Sequence, residues 1–358
     1  MLDEFYELNP YELDETRKTE LLTRELIDVT HHHMECCKPY ANMLKAMEYD
    51  EDKIRTYYDL PFLPVRLFKT MDLRSVEGDE IFKTMTSSGT TGQAVSKIYV
   101  DKETAASQQK VLVKIMSDFI GKKRLPMLIV DSPKVVKDRN LFSARGAAIL
   151  GLSMLAKERV YALNEDMELD IDTVTDFIEK HKGERILVFG FTFMVWQHLY
   201  KELVKLDKVL DMPEAFLITG GGWKKLVSEN ISREEFKAAF RKRCGINHFL
   251  DHYGMVEQTG SIYAECEYGH LHASIYSDII TRRYQDFKPC EIGEKGIIQV
   301  LSILPRSYPG HSLLTEDEGI VLGIDDCPCG RKGKYIEITG RMKKAELRGC
   351  SDTYAARF

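Results

Sequence analysis

Between residues 80 and 250 the chain alternates short apolar runs with amphipathic stretches, and this alternation constrains the fold more than any other feature. Strands are expected at Met127–Val130, Ile186–Phe189 and Phe216–Thr219, and helices at Glu103–Ile120, Phe193–Leu210 and Ser232–Arg243. Ser232 with Glu235 three residues later is the pattern of a capping box. Strand and helix in strict succession predict an α/β body with a largely parallel sheet. From His270 onward the strand candidates crowd together, at His272–Tyr276, Gly296–Leu304, Ile320–Gly323 and Tyr335–Thr339, which predicts a smaller β-rich subdomain. Upstream, Leu21, Leu22, Leu26, Ile27 and Val29 make an apolar helical stripe along Thr19–His31. Tyr57–Phe68 carries Pro61 and Pro64 among aromatics and reads as an extended crossing segment. The expected organisation is an α/β body over residues 1–265, a β-rich subdomain over 266–340 and a tail over 341–358.

Composition narrows the class. Apolar residues make up 44% of the 358 and charged residues 30%, enough for a core and too mixed for disorder. The net charge of −6 argues against a protein that grips nucleic acid through phosphate contacts. No run approaches the ~18 to 20 apolar residues of a membrane helix, and the acidic N-terminus lacks a signal pattern. Eight cysteines in a chain read as cytoplasmic are expected to be thiols or metal ligands, not disulfides.

Four stretches carry candidate chemistry. Thr86-Ser87-Ser88-Gly89-Thr90-Thr91-Gly92 sets hydroxyls beside two glycines, a loop able to wrap anionic oxygens with hydroxyl and peptide N–H donors. It is not a Walker A loop, because no Lys-Ser/Thr follows the second glycine. Tyr253-Gly254-Met255-Val256-Glu257 follows the apolar run His248–Leu250 and projects one acid from a glycine turn, placed to hold a metal against a nucleotide. Leu314–Gly319 reads as an acidic turn whose carboxylates would accept from ribose hydroxyls. Gly340-Arg341 follows the last predicted strand and offers a planar guanidinium to a phosphate or ribose.

Taken in order, these stretches resemble the adenylate-forming ligase superfamily, which uses ATP to activate a carboxylic acid as an acyl-adenylate. Leu63-Pro64-Val65 with Phe68-Lys69, Gly220-Gly221-Gly222-Trp223-Lys224, and Ala345-Glu346-Leu347-Arg348-Gly349-Cys350 look like its acyl-protein synthetase branch, the synthetase component of bacterial fatty-acid reductase. The resemblance runs from about residue 60 onward. It implies the large-domain architecture of that superfamily, layered αβ sheets plus the β-rich subdomain. It also implies that Thr86 to Gly92 hold phosphates, that Gly220, Gly221, Gly222, Asp251, His252, Tyr253 and Gly254 line the nucleotide slot, that Glu257 binds Mg²⁺, and that Asp317 and Arg341 hold the ribose. Two departures stand out. Val256 occupies a position where the superfamily usually has a hydroxyl residue. Only 17 residues follow Arg341, so the C-terminal lid domain that supplies a lysine to adenylation is expected to be mostly absent. Lys343, Lys344 and Arg348 are the nearby cations.

The branch implies that Cys350 takes the acyl group as a thioester and passes it to an acyl reductase. Lys344 and Arg348 beside it would depress the thiol pKa and favour the attacking thiolate. A CoA or carrier-protein thiol as acceptor is the close alternative. A zinc-stabilised, non-catalytic scaffold subunit of a reductase is the reading from another class.

A second site is expected from Cys266, His270 and His272 together with Cys327-Pro328-Cys329-Gly330. Three thiolates and one imidazole from two short segments have the composition of a structural zinc site. Cys266, His272, Cys327 and Cys329 are the favoured set, with His270 as the alternative imidazole and unmetallated thiols as the bland reading. His32/Cys36 and His33/Cys37, at i,i+4 on a helix with no second segment, are read as a helix end.

Overall fold

The apolar stripe of the N-terminal region becomes the buried face of the helix Glu15–Cys36, where Leu21, Leu22, Leu26 and Val29 are inaccessible to solvent. Asp14 caps this helix by accepting from the Arg17 N–H. The helix Lys38–Ala46 follows directly, with Pro39 in its first turn, where its missing N–H has no partner to lose. These elements belong to a computed structural model that describes residues 2–87, 95–137, 144–221 and 231–342. The chain divides into two units. Of the described residues, the first holds 2–87, 95–118 and 254–342, and the second 119–137, 144–221 and 231–253. The N-terminal helices therefore group with the C-terminal strands, and the boundary expected at residue 265 falls inside the first unit.

In chain order, the first unit opens with β1 (Leu63–Pro64) and the antiparallel hairpin of β2 (Lys83–Thr86) and β3 (Lys97–Val100). Tyr57–Phe68 is less uniformly extended than its prolines suggest. A 3₁₀ turn at Tyr57–Asp59 precedes β1, and the short helix Leu67–Thr70 follows it.

The second unit is built on β4 (Leu125–Ile129), β5 (Ala156–Tyr161), β6 (Ile186–Phe191), β7 (Ala215–Gly220) and β8 (His248–Tyr253). Among the described residues these run parallel in the order β5-β4-β6-β7-β8. Every residue of β6 is buried, as a central parallel strand covered on both faces requires. Leu128, Val188, Leu217, Trp196, Phe236 and Phe240 meet in the core beside it. The capping box at Ser232 and Glu235 is present, and it starts the helix Arg233–Cys244. The helix expected over Phe193–Leu210 stops at Lys205 and contains a π-helical stretch, Val195–Tyr200. Beyond it Asp207 takes a left-handed backbone, φ 48°, and the Lys208 N–H turns back onto the Leu203 carbonyl.

The first unit resumes with β9 (Tyr263–Glu265), β10 (Leu271–His272), β11 (Ser277–Arg282), β12 (Lys295–Ser302), β13 (Ser312–Ile324) and β14 (Lys334–Arg341). They pair antiparallel in the order β11-β12-β13-β14-β10-β9, and β1 adds parallel to β13. Three sequence expectations are corrected here. The strand expected at His272–Tyr276 is only Leu271–His272, with a separate strand starting at Ser277. Leu314–Gly319 is no turn but the middle of β13, and Gly340-Arg341 ends β14 instead of following it. The acids tolerate a strand because each meets a partner across the sheet. Glu318 pairs with Lys295 at 2.7 Å and accepts from the Tyr284 hydroxyl, while Asp317 lies opposite Arg341. Beneath this sheet Lys334 Nζ sits 3.0 Å from Asp278 and 3.1 Å from Glu15, with Lys18 3.7 Å from the same Asp278 carboxylate. This buried charge cluster ties the N-terminal helix to β11 and β14.

Candidate functional site

In the second unit, the expected nucleotide residues stand at the carboxyl ends of parallel strands, the edge where α/β sheets bind ligands. Gly220 ends β7 and pairs in register with His252 of β8, as Thr219 does with Asp251. The glycines answer to two rings. A Cβ on Gly220 would lie 2.4 Å from His252 Cε1, and one on Gly221, whose φ is +89°, would lie 2.7 Å from the Phe191 ring. Only bare backbone lets both rings approach. Burial pushes the His252 imidazole down to about 4, so it is neutral at pH 7. Asp251 accepts from the His252 N–H at 2.9 Å and lies 3.7 Å from the Arg233 guanidinium. The arrangement offers bare backbone at Gly220 and Gly221, a neutral ring and a carboxylate beside a guanidinium. Gly222 lies outside the described residues.

Sequence reading passed over a further pair on the same edge. Strand order reverses at β4, with β5 on one side and β6 on the other, and Asp131 stands just beyond the β4 carboxyl end. Arg145 grips both oxygens of Asp131, at 2.8 and 3.2 Å. Burial pushes the Asp131 carboxyl up to about 6 against the pull of that guanidinium. An aspartate directly after a buried apolar run was the available signal.

In the first unit, Thr86 closes β2, and the Ser87 and Ser96 backbones join across the hairpin, the Ser87 N–H donating to the Ser96 carbonyl at 3.2 Å. The Ser87 hydroxyl accepts from the Ser96 N–H at 2.9 Å. The phosphate-loop residues Ser88, Gly89, Thr90, Thr91 and Gly92 lie outside the described residues. Gly254 precedes a 3₁₀ turn, Val256–Gln258, that buries Glu257. Burial raises the Glu257 carboxyl, with Ser96 acting in the opposite direction, and a bound cation would favour its charged form.

Asp317 and Arg341 face each other across β13 and β14, with Arg341 Nε 3.2 Å from Asp317 Oδ1. Glu316, next along β13, engages the same guanidinium at 3.2 Å and also pairs with Arg66 Nε. Arg66 and Glu316 were not singled out from sequence, since nothing local says that β1 lies along β13. Both line a cleft of about 300 Å³, together with Val65, Leu314 and Met342. Lys343, Lys344, Arg348 and Cys350 lie outside the described residues.

The cysteine and histidine segments converge in the first unit. Cys266 follows β9, His272 ends β10, and Cys327 and Cys329 sit in the turn between β13 and β14. The ligand atoms of these four residues all lie within 4.8 Å of one another. His272 Nε2 is 3.3 Å from Cys329 Sγ, and Cys266 and Cys327 are 4.0 Å apart at sulfur. Around Zn²⁺, sulfurs at ~2.3 Å would be about 3.8 Å apart, so the donor set and its spacing fit such an ion. His270 Nδ1 stands 3.3 Å from Cys327 Sγ, beside this group of four. The His31–Cys37 segment ends the helix Glu15–Cys36, as expected, with His31 and Cys36 exposed. The His33 ring is buried between Ser75 Oγ, at 2.7 Å, and the Pro305 carbonyl, at 3.0 Å.

Layered this way, the chain has the fold of the adenylate-forming ligases. A crystal structure of an open conformation of 2-hydroxyisobutyryl-CoA ligase, in complex with 2-HIB-AMP and CoA, matches it with a TM-score of 0.74. That match covers 95% of this chain and 73% of the other at 12% identity. The same ligase in the thioesterification state matches with a TM-score of 0.73 over 93% of this chain and 70% of the other, at 14% identity. By class the protein is an AMP-forming ligase. More narrowly, it belongs to the acyl-protein synthetase, LuxE, family, whose sequence model matches residues 1–358. Two relatives bear the name long-chain-fatty-acid–luciferin-component ligase. The Vibrio harveyi protein is 22% identical over 96% of this chain and 89% of its own. The Aliivibrio fischeri protein is 21% identical over 98% of this chain and 92% of its own. No helix among the described residues is long and apolar enough to cross a membrane.

Proposed function

We propose that this protein activates a fatty acid with ATP, giving acyl-AMP and pyrophosphate, and then moves the acyl group to its own Cys350. In the first step the acid's carboxylate oxygen attacks the α-phosphorus and pyrophosphate leaves. In the second the Cys350 thiolate attacks the acyl carbonyl and AMP leaves, so a thioester replaces the mixed anhydride. The acyl-thioester would then be delivered to an acyl reductase.

Two like-charged reactants must be brought into line, and the residues divide that work. Thr86 to Gly92 donate to phosphate oxygens. Gly220 to Gly222 with Asp251 to Tyr253 receive the base. Asp317 accepts from ribose hydroxyls while Arg341 holds their other side. Glu257 would hold Mg²⁺, which when bound screens phosphate charge. Lys344 and Arg348 keep Cys350 in its thiolate form. Cys266, His272, Cys327 and Cys329 would hold a structural Zn²⁺, closing the turn between β13 and β14.

The observation that carries this reading is the Asp317–Arg341 cross-strand pair, within a chain matched to the acyl-protein synthetase family along its whole length. ATP–pyrophosphate exchange with a graded series of fatty acids tests it. Acid-dependent exchange without added coenzyme A is the expected result. Absence of exchange with every acid would overturn it, and a requirement for coenzyme A to release acyl product would move the acceptor from Cys350 to that thiol.

A further inference from the structure

Arg341 stands between two carboxylates, and only one belongs to the proposed ribose pair. Asp317 takes its Nε side and Glu316 its NH2 side, each at 3.2 Å. Glu316 is nearly buried, so its charge needs cations close by. It has two, because Arg66 holds the other oxygen. The fold sets this meeting. β1 runs parallel to β13 with Leu63 opposite Leu313 and Pro64 opposite Leu314, and the Val65 N–H donates to the Leu314 carbonyl at 2.9 Å. Arg66 is the next residue and arrives at Glu316. The result is a row of alternating charge, Arg66, Glu316, Arg341, Asp317, running from the residue after Val65 across β13 to β14, with Arg66 and Glu316 on the wall of the cleft.

We propose that Arg66 is a positioning residue for the nucleotide, acting through Glu316 and resting on the ribose role given above to Asp317 and Arg341. While Arg66 satisfies one Glu316 oxygen, Arg341 donates to the other through its NH2 group and keeps its Nε within 3.2 Å of Asp317. Without Arg66, Glu316 is left with a single strong partner and draws the guanidinium toward itself, away from Asp317 and from an incoming ribose. Arg66 is more than half exposed, so its loss removes little packing. The effect falls on nucleotide affinity and leaves the chemical step intact, since the ribose hydroxyls that Asp317 and Arg341 would hold are not the groups that react.

The test is ATP–pyrophosphate exchange kinetics and equilibrium ATP binding on the full chain carrying Arg66→Ala, Arg66→Gln, Arg66→Lys, and Arg66→Ala combined with Glu316→Gln. Arg66→Ala and Arg66→Gln are expected to raise the KM and Kd for ATP about tenfold, the weight of one charge-assisted contact, with kcat changed less than about threefold. Lysine restores part of the affinity because it keeps the charge. Glu316→Gln in the Arg66→Ala background restores most of it, because the competing charge has gone. That recovery is the signature a purely structural role would not give. ATP affinity unchanged in both neutral variants, or a double variant no better than Arg66→Ala, overturns the inference while leaving the nucleotide reading standing. A wild-type protein that binds no ATP overturns both.

Discussion

Lowering the pH from 7 to 5 should weaken the first unit through a pair of histidines, His33 and His311. Their rings are stacked 5.0 Å apart and buried. His311 Nε2 lies 3.1 Å from the Thr30 hydroxyl and 3.2 Å from that of Tyr40, and both of these partners are buried. Burial pushes His311 down to about 3 and His33 well below its ordinary value. In the unfolded chain both would titrate near pH ~6.5. Below that pH the unfolded chain binds the proton and the native one does not, so stability falls as the pH falls, and keeps falling until the native ring titrates. Integrated between pH 7 and 5, His311 alone removes about 2 kcal/mol, and His33 adds a loss of the same sign. In the balance for the whole chain Asp131, in the second unit, acts the other way, since its raised carboxyl protonates first in the native state and returns about 1 kcal/mol. The clean quantity is therefore a difference. Urea unfolding followed by circular dichroism, at pH 7, 6 and 5, is compared between the wild type and His311→Gln. The wild type should lose about 2 kcal/mol more than the variant across that range. Equal losses in the two proteins would refute the argument that burial holds His311 neutral.

Other perturbations follow from the same contacts. Gly220→Ala drives a methyl group into the His252 ring, and it should weaken ATP binding at least tenfold while destabilising the fold by about 1–3 kcal/mol, read by titration and by thermal melting. Asp278→Ala leaves the Lys18 and Lys334 ammonium groups buried without their shared carboxylate; a loss of about 3–5 kcal/mol in urea unfolding is expected, and Lys334→Met in the same chain should recover part of it. Protein purified without chelators should carry close to one zinc per chain, and Cys327→Ser should lose it and melt at a lower temperature. Zinc well below one per chain in the wild type would count against that centre.

Local periodicity was enough to foresee the parallel sheet, because β4, β6 and β7 are apolar runs flanked by amphipathic helices. The capping box at Ser232 was legible for a similar reason, since its two partners are three residues apart. The four metal-ligand candidates could be chosen because few residue types offer such donors, although only folding brings Cys266 and Cys327 together. What local reading missed was set by distant partners. Leu314–Gly319 looks like a turn while its charges are counted alone, and becomes a strand once Lys295, Arg66 and Arg341 lie beside them. Arg66 itself looks unremarkable until β1 aligns with β13. The π-helical stretch at Val195–Tyr200 is only six residues long, too short for apolar periodicity to separate it from the α-helical turns on either side.

The most direct test of the whole account is intact-protein mass spectrometry after incubation with Mg·ATP and a mixture of fatty acids, with Cys350→Ser alongside. The account predicts a mass gain equal to one fatty acid less water, dependent on ATP, reversed by neutral hydroxylamine and missing from the variant. An unmodified wild-type protein, or an ATP-dependent acyl group that survives in Cys350→Ser, would contradict it.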